Sequence, residues 1–404
     1  MTAISPAGRR ALWAYRFFMG TSNAQFTRGV FIVYLVAHGR SLFEMGLLEA
    51  CFHASRLIAD VPLGSLADRL GRRAVITAGL LAGAAGAALM LATPLWLLVV
   101  SFALQGLGWA GQRGADSALL YELLDDLGRS ELFARETGRA MGLGFAVLAL
   151  TTFVGGAMYE HLYWLPFVAH ALAVAGASWF VWRVPESPQP VDRRATMAGT
   201  IVAGWRVLRR RRHLLNALLF GALVNAGVTA VSIFSQDFFA GLGLKPTAVS
   251  LVIGFITLVA AGVSAVAHRL TALGMTRAML IAAVLFASGL LGMYSARPWF
   301  AIVGYYCVFL TIDLIYPLLS QVVNDATDNA VRSTVLSFGG LIGGLATTVS
   351  FVVTGSVVAS FGYTWVFAGL LVLSLPLFGI LLRSRPGAGP AVGARTPVTS
   401  GDQL

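Results

Sequence analysis

Gly64-Ser65-Leu66-Ala67-Asp68-Arg69-Leu70-Gly71-Arg72-Arg73 places three arginines and a single acid in one short turn. Two apolar stretches flank it, Leu42–Leu66 and Ala74–Ala92, each long enough to cross a bilayer. A loop this tight and this basic marks the cytoplasmic side of a helical hairpin, because Lys and Arg accumulate on that face.

The stretches around the hairpin repeat its pattern. Of 404 residues, 57% are hydrophobic and 12% charged, and the mean hydropathy is +0.77. A soluble chain averages about 25% charged residues, so this one has too few to cover an aqueous surface. Apolar runs of roughly 20 residues recur, the length of helix that crosses a hydrocarbon core about 30 Å thick. No water is available there to satisfy the backbone, so the runs must be helices. They lack the alternation of a β-barrel strand. The expected class is an all-α polytopic membrane protein with about twelve spans. Residues 1–182 and 213–383 read as two pseudo-symmetric six-helix halves, joined by a cytoplasmic linker over 183–212. The Pro-, Gly- and Ser/Thr-rich tail, 384–404, is expected to be disordered.

The formal charge of +11 invites a nucleic-acid reading, but the placement of the charges opposes it. Numbered from an inner N-terminus, only Arg40, Lys245 and Arg297 fall on the outer side; every other basic cluster is inner. That asymmetry puts both termini in the cytoplasm of a cell with an inner membrane. The run Arg209 to Arg212 then reads as a topology anchor. The two cysteines, Cys51 and Cys307, lie in apolar runs, so no disulfide framework is expected. Six histidines are scattered without metal-ligand spacing, and no soluble domain is long enough for chemistry. No enzyme activity, metal or cofactor is expected. The first apolar run is broken by Arg16, Asn23, Gln25 and Arg28, unlike a cleavable signal.

Polar residues inside a bilayer are costly, so their positions carry information. In the first span, Leu12–Ala37, Thr21, Gln25 and Arg28 fall at helical spacing, with Asn23 on a neighbouring face. The fourth, Leu95–Leu119, carries Gln105, Trp109, Gln112 and Asp116 on one face. The seventh has Asn225, Thr229, Ser232 and Gln236, and the tenth Tyr306 and Asp313. The third, sixth, ninth and twelfth are almost wholly apolar and read as lipid-facing. This division suits a bundle around a central aqueous path. The second span adds the ladder Glu49, His53, Arg56 and Asp60, either paired internally at i,i+4 or handling protons. Arg28 is placed to bind an anionic group, or to pair with Glu49 or Asp313.

The opening stretch matches G-x-x-x-D-R-x-G-R-R at Gly64, Asp68, Arg69, Gly71, Arg72 and Arg73. It resembles the loop signature between the second and third helices of major facilitator superfamily transporters. A fainter echo, Ala267-His268-Arg269-Leu270 followed by Gly274, stands after the second span of the other half. The resemblance implies a secondary transporter of a small organic molecule working by alternating access, as a monomer. It implies proton-coupled efflux of a drug or metabolite, with nutrient or organic-anion uptake by symport or facilitated diffusion as the alternative. It also implies that the loop latches the cytoplasmic side, with Asp116 or Glu122 as the acidic partner of Arg72. Two family elements tied to proton-coupled export are absent. Phe102 stands where the fourth-helix pattern has Arg, and Thr151-Thr152 where the fifth has Gly-Pro.

Overall fold

The structure, a computed structural model, describes residues 5–186, 205–206, 209, 212–271, 275–326 and 329–383. Most of the linker, the tail and Gly274 lie outside these residues, as do the side chains of His268 and Arg269. Among the described residues the chain is helical, with no strand. Seven helices are long and apolar enough to cross a bilayer, and Leu165–Val181, Pro246–Ala260 and Tyr363–Ser374 are shorter apolar ones. Those ten, with the more polar first and second spans, make up the twelve.

In chain order the spans are Pro6–Ser22 with Phe31–Ala37, Leu42–Leu70, Arg72–Leu89, Leu95–Gln112 with Ala115–Asp126, Phe133–His161 and Leu165–Val181. The second half follows with Arg212–Gly241, Pro246–Thr271, Met275–Tyr294, Pro298–Ala326, Asn329–Phe361 and Tyr363–Arg383. Local chemistry sets several of their starts. Ser5 accepts the Gly8 amide ahead of Pro6, and Ser41 forms a reciprocal capping box with Glu44.

Two spans expected to be continuous are broken. The first stops at Ser22 and resumes at Phe31; between them lie tight turns, with the amides of Asn23, Ala24, Arg28 and Val30 reaching back three residues. The break is held from outside: the Phe26 carbonyl packs onto the bare Cα of Gly155. The fourth span breaks at Arg113, whose backbone is extended, and Gly114, at φ 80. Only glycine adopts that φ without strain.

Chain reversals divide the bundle into two ends. The motif stretch expected as a turn is helical except at Gly71, and the reversal at Gly71 lies at one end, called here the motif end; the turns near Gly39, Leu162, Gly243 and Gly362 lie at the far end. Within the first half the third span packs on the fourth and sixth, the second on the fourth, and the first on the fifth. The second half repeats this set: ninth on tenth and twelfth, eighth on tenth, seventh on eleventh. The halves meet where the second span lies along the eleventh and the fifth along the eighth.

The buried clusters show which end is closed. At the far end one cluster joins Ile32, Tyr34, Leu35, Met45 and Leu48 of the first half to Ala230, Phe234 and Phe351 of the second. At the motif end Leu119, Leu120, Leu124 and Val181 belong to a cluster of the first half alone, and Leu214, Val323 and Val335 to one of the second. Among the described residues, no buried cluster joins the halves at that end.

Candidate functional site

A cavity of about 370 Å³ lies between the halves. Its first-half wall carries Gln25, Arg28, Glu49, His53, Arg56, Gln105, Trp109 and Gln112, and its second-half wall Asn225, Thr229 and Ser232. Three of the four residues in each expected stripe of the fourth and seventh spans therefore face a common space, and Asp116 and Gln236 do not. Phe31, Phe52, Phe102, Phe309 and Ile312 supply its apolar surface.

Other expected residues fall elsewhere. Asn23 donates to the Met19 carbonyl at 2.8 Å and rests against Gly144. Asp60 lies one turn beyond Arg56, outside the lining, with Oδ1 buried and unpartnered. The tenth span lines the cavity with Phe309 and Ile312. Asp313 is not among the lining residues and its Oδ2 is buried and unpartnered, while the Tyr306 hydroxyl donates to the Val252 carbonyl at 3.2 Å. Asp116 accepts the Ser117 amide at 2.6 Å near the motif end.

Four expected ion pairs do not form. Arg28 with Glu49, Arg28 with Asp313, Glu49 with His53 and Arg56 with Asp60 all lie beyond 4.0 Å among the described residues. Glu49 and the Tyr305 hydroxyl lie within electrostatic range of Arg28, whose Nε is buried without a hydrogen-bond partner. The Arg56 guanidinium sits 6.0 Å from the Trp109 ring centroid. The break in the first span separates Thr21 from Gln25 and Arg28, so these do not form the helical stripe their spacing implies. The break itself carries Gln25 and Arg28 into the cavity.

The apolar third and sixth spans also reach the cavity, through Gly83 and Met90 and through His170 and Val174. Thr27 and His170 Nδ1 share a hydrogen bond of 2.8 Å across that wall. Ser232 and the buried Tyr305 hydroxyl meet at 3.2 Å. His170 was visible as the one ionisable group of an apolar span; its partner was not.

Gln236, expected in the seventh-span stripe, closes the far end instead. Its side-chain carbonyl accepts the Ile32 amide at 3.0 Å, an otherwise orphaned donor in the first turn of the resumed helix. Glu160 does the same for the eighth span, accepting the Thr247 amide at 2.9 Å. Gly46 meets the Phe351 carbonyl and Gly355, and Gly29 and Gly156 both abut Ser250. Four glycines and two cross-half caps thus hold this end shut.

The motif forms a charge cluster at the opposite end. Gly71, at φ 93, ends the second span and lets Glu186 approach; a Cβ there would stand 3.1 Å from its carboxylate. Arg72 pairs with Glu122, one of its two expected partners. Glu186 accepts from the Arg72 and Arg73 amides and from Arg73 Nε at 3.0 Å. Gly64 lies inside the second helix, Asp68 and Arg69 in its last turn. Beside them Glu136 joins Arg16 and Arg139, bringing the first and fifth spans together. Neither Glu186 nor Glu136 carried a local sequence signal, because their partners are remote in the chain.

The family model of the Major Facilitator Superfamily matches residues 17–347. The chain belongs to that superfamily. The superfamily member is 27% identical over 205 residues to the inner membrane transport protein YajR of Escherichia coli K12, covering 47% of this chain and 42% of that one. It is 31% identical over 121 residues to an uncharacterised transporter of Buchnera aphidicola subsp. Schizaphis graminum, covering 30% and 29%. Both matches span less than half of the curated relatives. The crystal structure of the nucleoside transporter NupG superposes with a TM-score of 0.76 at 13% identity, covering 94% of this chain and 99% of that one. A bacterial homologue of the human lysosomal transporter Spinster, in an inward-facing and unoccupied conformation, gives 0.70 at 14%, covering 95% and 98%. At these identities the likeness is one of fold. The chain is a multi-pass membrane protein of the superfamily.

Proposed function

We propose that this transporter moves a small organic molecule across the inner membrane by alternating access, coupled to protons, with export of a drug or metabolite as its direction. The observation that carries alternating access is a polar cavity between two halves that, among the described residues, are joined by a buried cluster at one end only. With the basic motif end and both termini in the cytoplasm, the seal is periplasmic and the cavity is inward-facing. Residues 1–182 and 213–383 are then the two rocking bundles of a monomer, with 183–212 as their linker. The cavity residues bind the substrate, Glu49, His53 and Asp313 handle protons, and the cluster around Gly64, Asp68, Arg69 and Arg72 acts as the inner gate.

A second reading, uptake of a nutrient or organic anion by symport or facilitated diffusion, is favoured by Arg28, a cation on the cavity wall without an ion pair. Purified protein in sealed proteoliposomes separates the two. After a thermal-shift screen for ligands, flux is measured against imposed pH gradients of either sign. Export by antiport predicts that ligand moves against the proton gradient, and that Glu49→Gln or Asp313→Asn removes the dependence. Flux indifferent to the gradient would reject proton coupling; ligand moving with protons would favour uptake.

A further inference from the structure

The charges on the cavity wall are unevenly shared. Among the described residues all of them come from the first half: Arg28, Arg56 and Glu49, with His53 between. The described second-half wall offers amide and hydroxyl groups and no charge. Two guanidiniums therefore face one carboxylate.

Access tips the balance further. Glu49 is only 6% exposed, whereas Arg28 and Arg56 are partly exposed to the space. Neither arginine has an ion-pair partner within 4.0 Å among the described residues. Arg28 also holds a buried Nε donor that nothing accepts. Buried charges in folded proteins are ordinarily paired, so an unpaired guanidinium aimed into a cavity calls for an acceptor from outside the chain. A carboxylate matches its planar fork of donors.

The positions define an axis. Glu49 and Arg56 are seven residues apart on one helix, about 10 Å along it. Arg28, within range of Glu49, lies toward the sealed end, and Arg56 beside Trp109 lies toward the motif end. Phe31, Phe52 and Phe102 fill the wall around them with apolar surface. Arg113 and Asp60 lie within electrostatic range of Arg56 from beyond the lining.

Resting on the transporter reading above, we infer that the cavity selects an organic anion: a carboxylic acid on an aromatic or aliphatic body. Its acid group docks on Arg28, and its body lies on the aromatic wall toward Trp109. A volume of about 370 Å³ falls at the small end of the range for organic ligand sites. An amine would meet the two arginines first and the buried Glu49 last.

The test uses the purified full chain and matched probes: benzoate, phenylacetate, cinnamate and octanoate, each beside its amide and its amine. Binding is read by calorimetry. At least one acid binds about tenfold tighter than its amide and its amine. Arg28→Gln removes that preference, and Arg28→Lys retains part of it. No acid preferred over its amide, an amine preferred, or a preference intact in a folded Arg28→Gln protein would each overturn the inference. The wild-type panel decides by itself should the variant misfold. Counterflow in proteoliposomes keeps the two claims apart. An acid that binds but is not moved leaves the anion site and removes transport; an amide or amine that is moved does the reverse.

Discussion

Gln236 shows how a residue's spacing and its job can part. It shares a helical stripe with Asn225, Thr229 and Ser232, yet it accepts the Ile32 amide from the opposite half. Gln236→Leu leaves that buried donor unsatisfied, a loss of about 1–3 kcal/mol charged to the sealed state alone. The far end then opens roughly tenfold more often. An impermeant maleimide added from that side should label a Thr229→Cys protein correspondingly faster; an unchanged rate would mean the cap does not contribute to closure. At the other end, Arg72 and Glu122 are 15% and 5% exposed. Glu122→Gln removes one charge of the pair, and the expected loss is on the order of 2 kcal/mol, somewhat below that of a fully buried pair. Melting of the purified protein should shift down accordingly. An unshifted melting curve would reduce the pair to a bystander.

At the scale of elements, the broken first span is the feature that makes the cavity polar. A continuous helix would satisfy its own backbone and send Gln25 and Arg28 in directions set by its period. Here the Phe26 carbonyl leans on Gly155 instead. Gly155→Ala places a methyl on that oxygen, so the break must shift and the far-end seal with it. Gly176→Ala, where nothing lies within 4 Å, is the matched control. Transport in proteoliposomes should fall at least about tenfold in the first variant and stay near wild type in the second, since 1.4 kcal/mol suffices for a tenfold shift. Equal activity of both would show that the contact is not needed.

For the whole molecule, the division between wet and lipid-facing surface is the testable claim. In a background lacking Cys51 and Cys307, Gln112→Cys and Asn225→Cys should react with aqueous reagent from the motif side. Leu81→Cys, on a 51% exposed position of the third span away from the cavity, should be protected. Equal protection of all three would remove the cavity.

The membrane class, the number of spans, the basic end and the polar faces of the fourth and seventh spans were legible along the chain. Each depends on residues close in sequence: run length against bilayer thickness, charge beside a helix end, spacing on one helix. The rotation of the tenth span was not legible, because Tyr306 and Asp313 look like any polar face until Phe309 and Ile312 are seen to take the inner position. Nor was the break after Ser22, which depends on Gly155, or the partner of Arg72 and Arg73 at Glu186. Side chains reach a few ångströms and the chain brings distant segments within that reach only when it packs. Local pattern therefore decides what each span is, and contact between the halves decides what it faces and which end is closed.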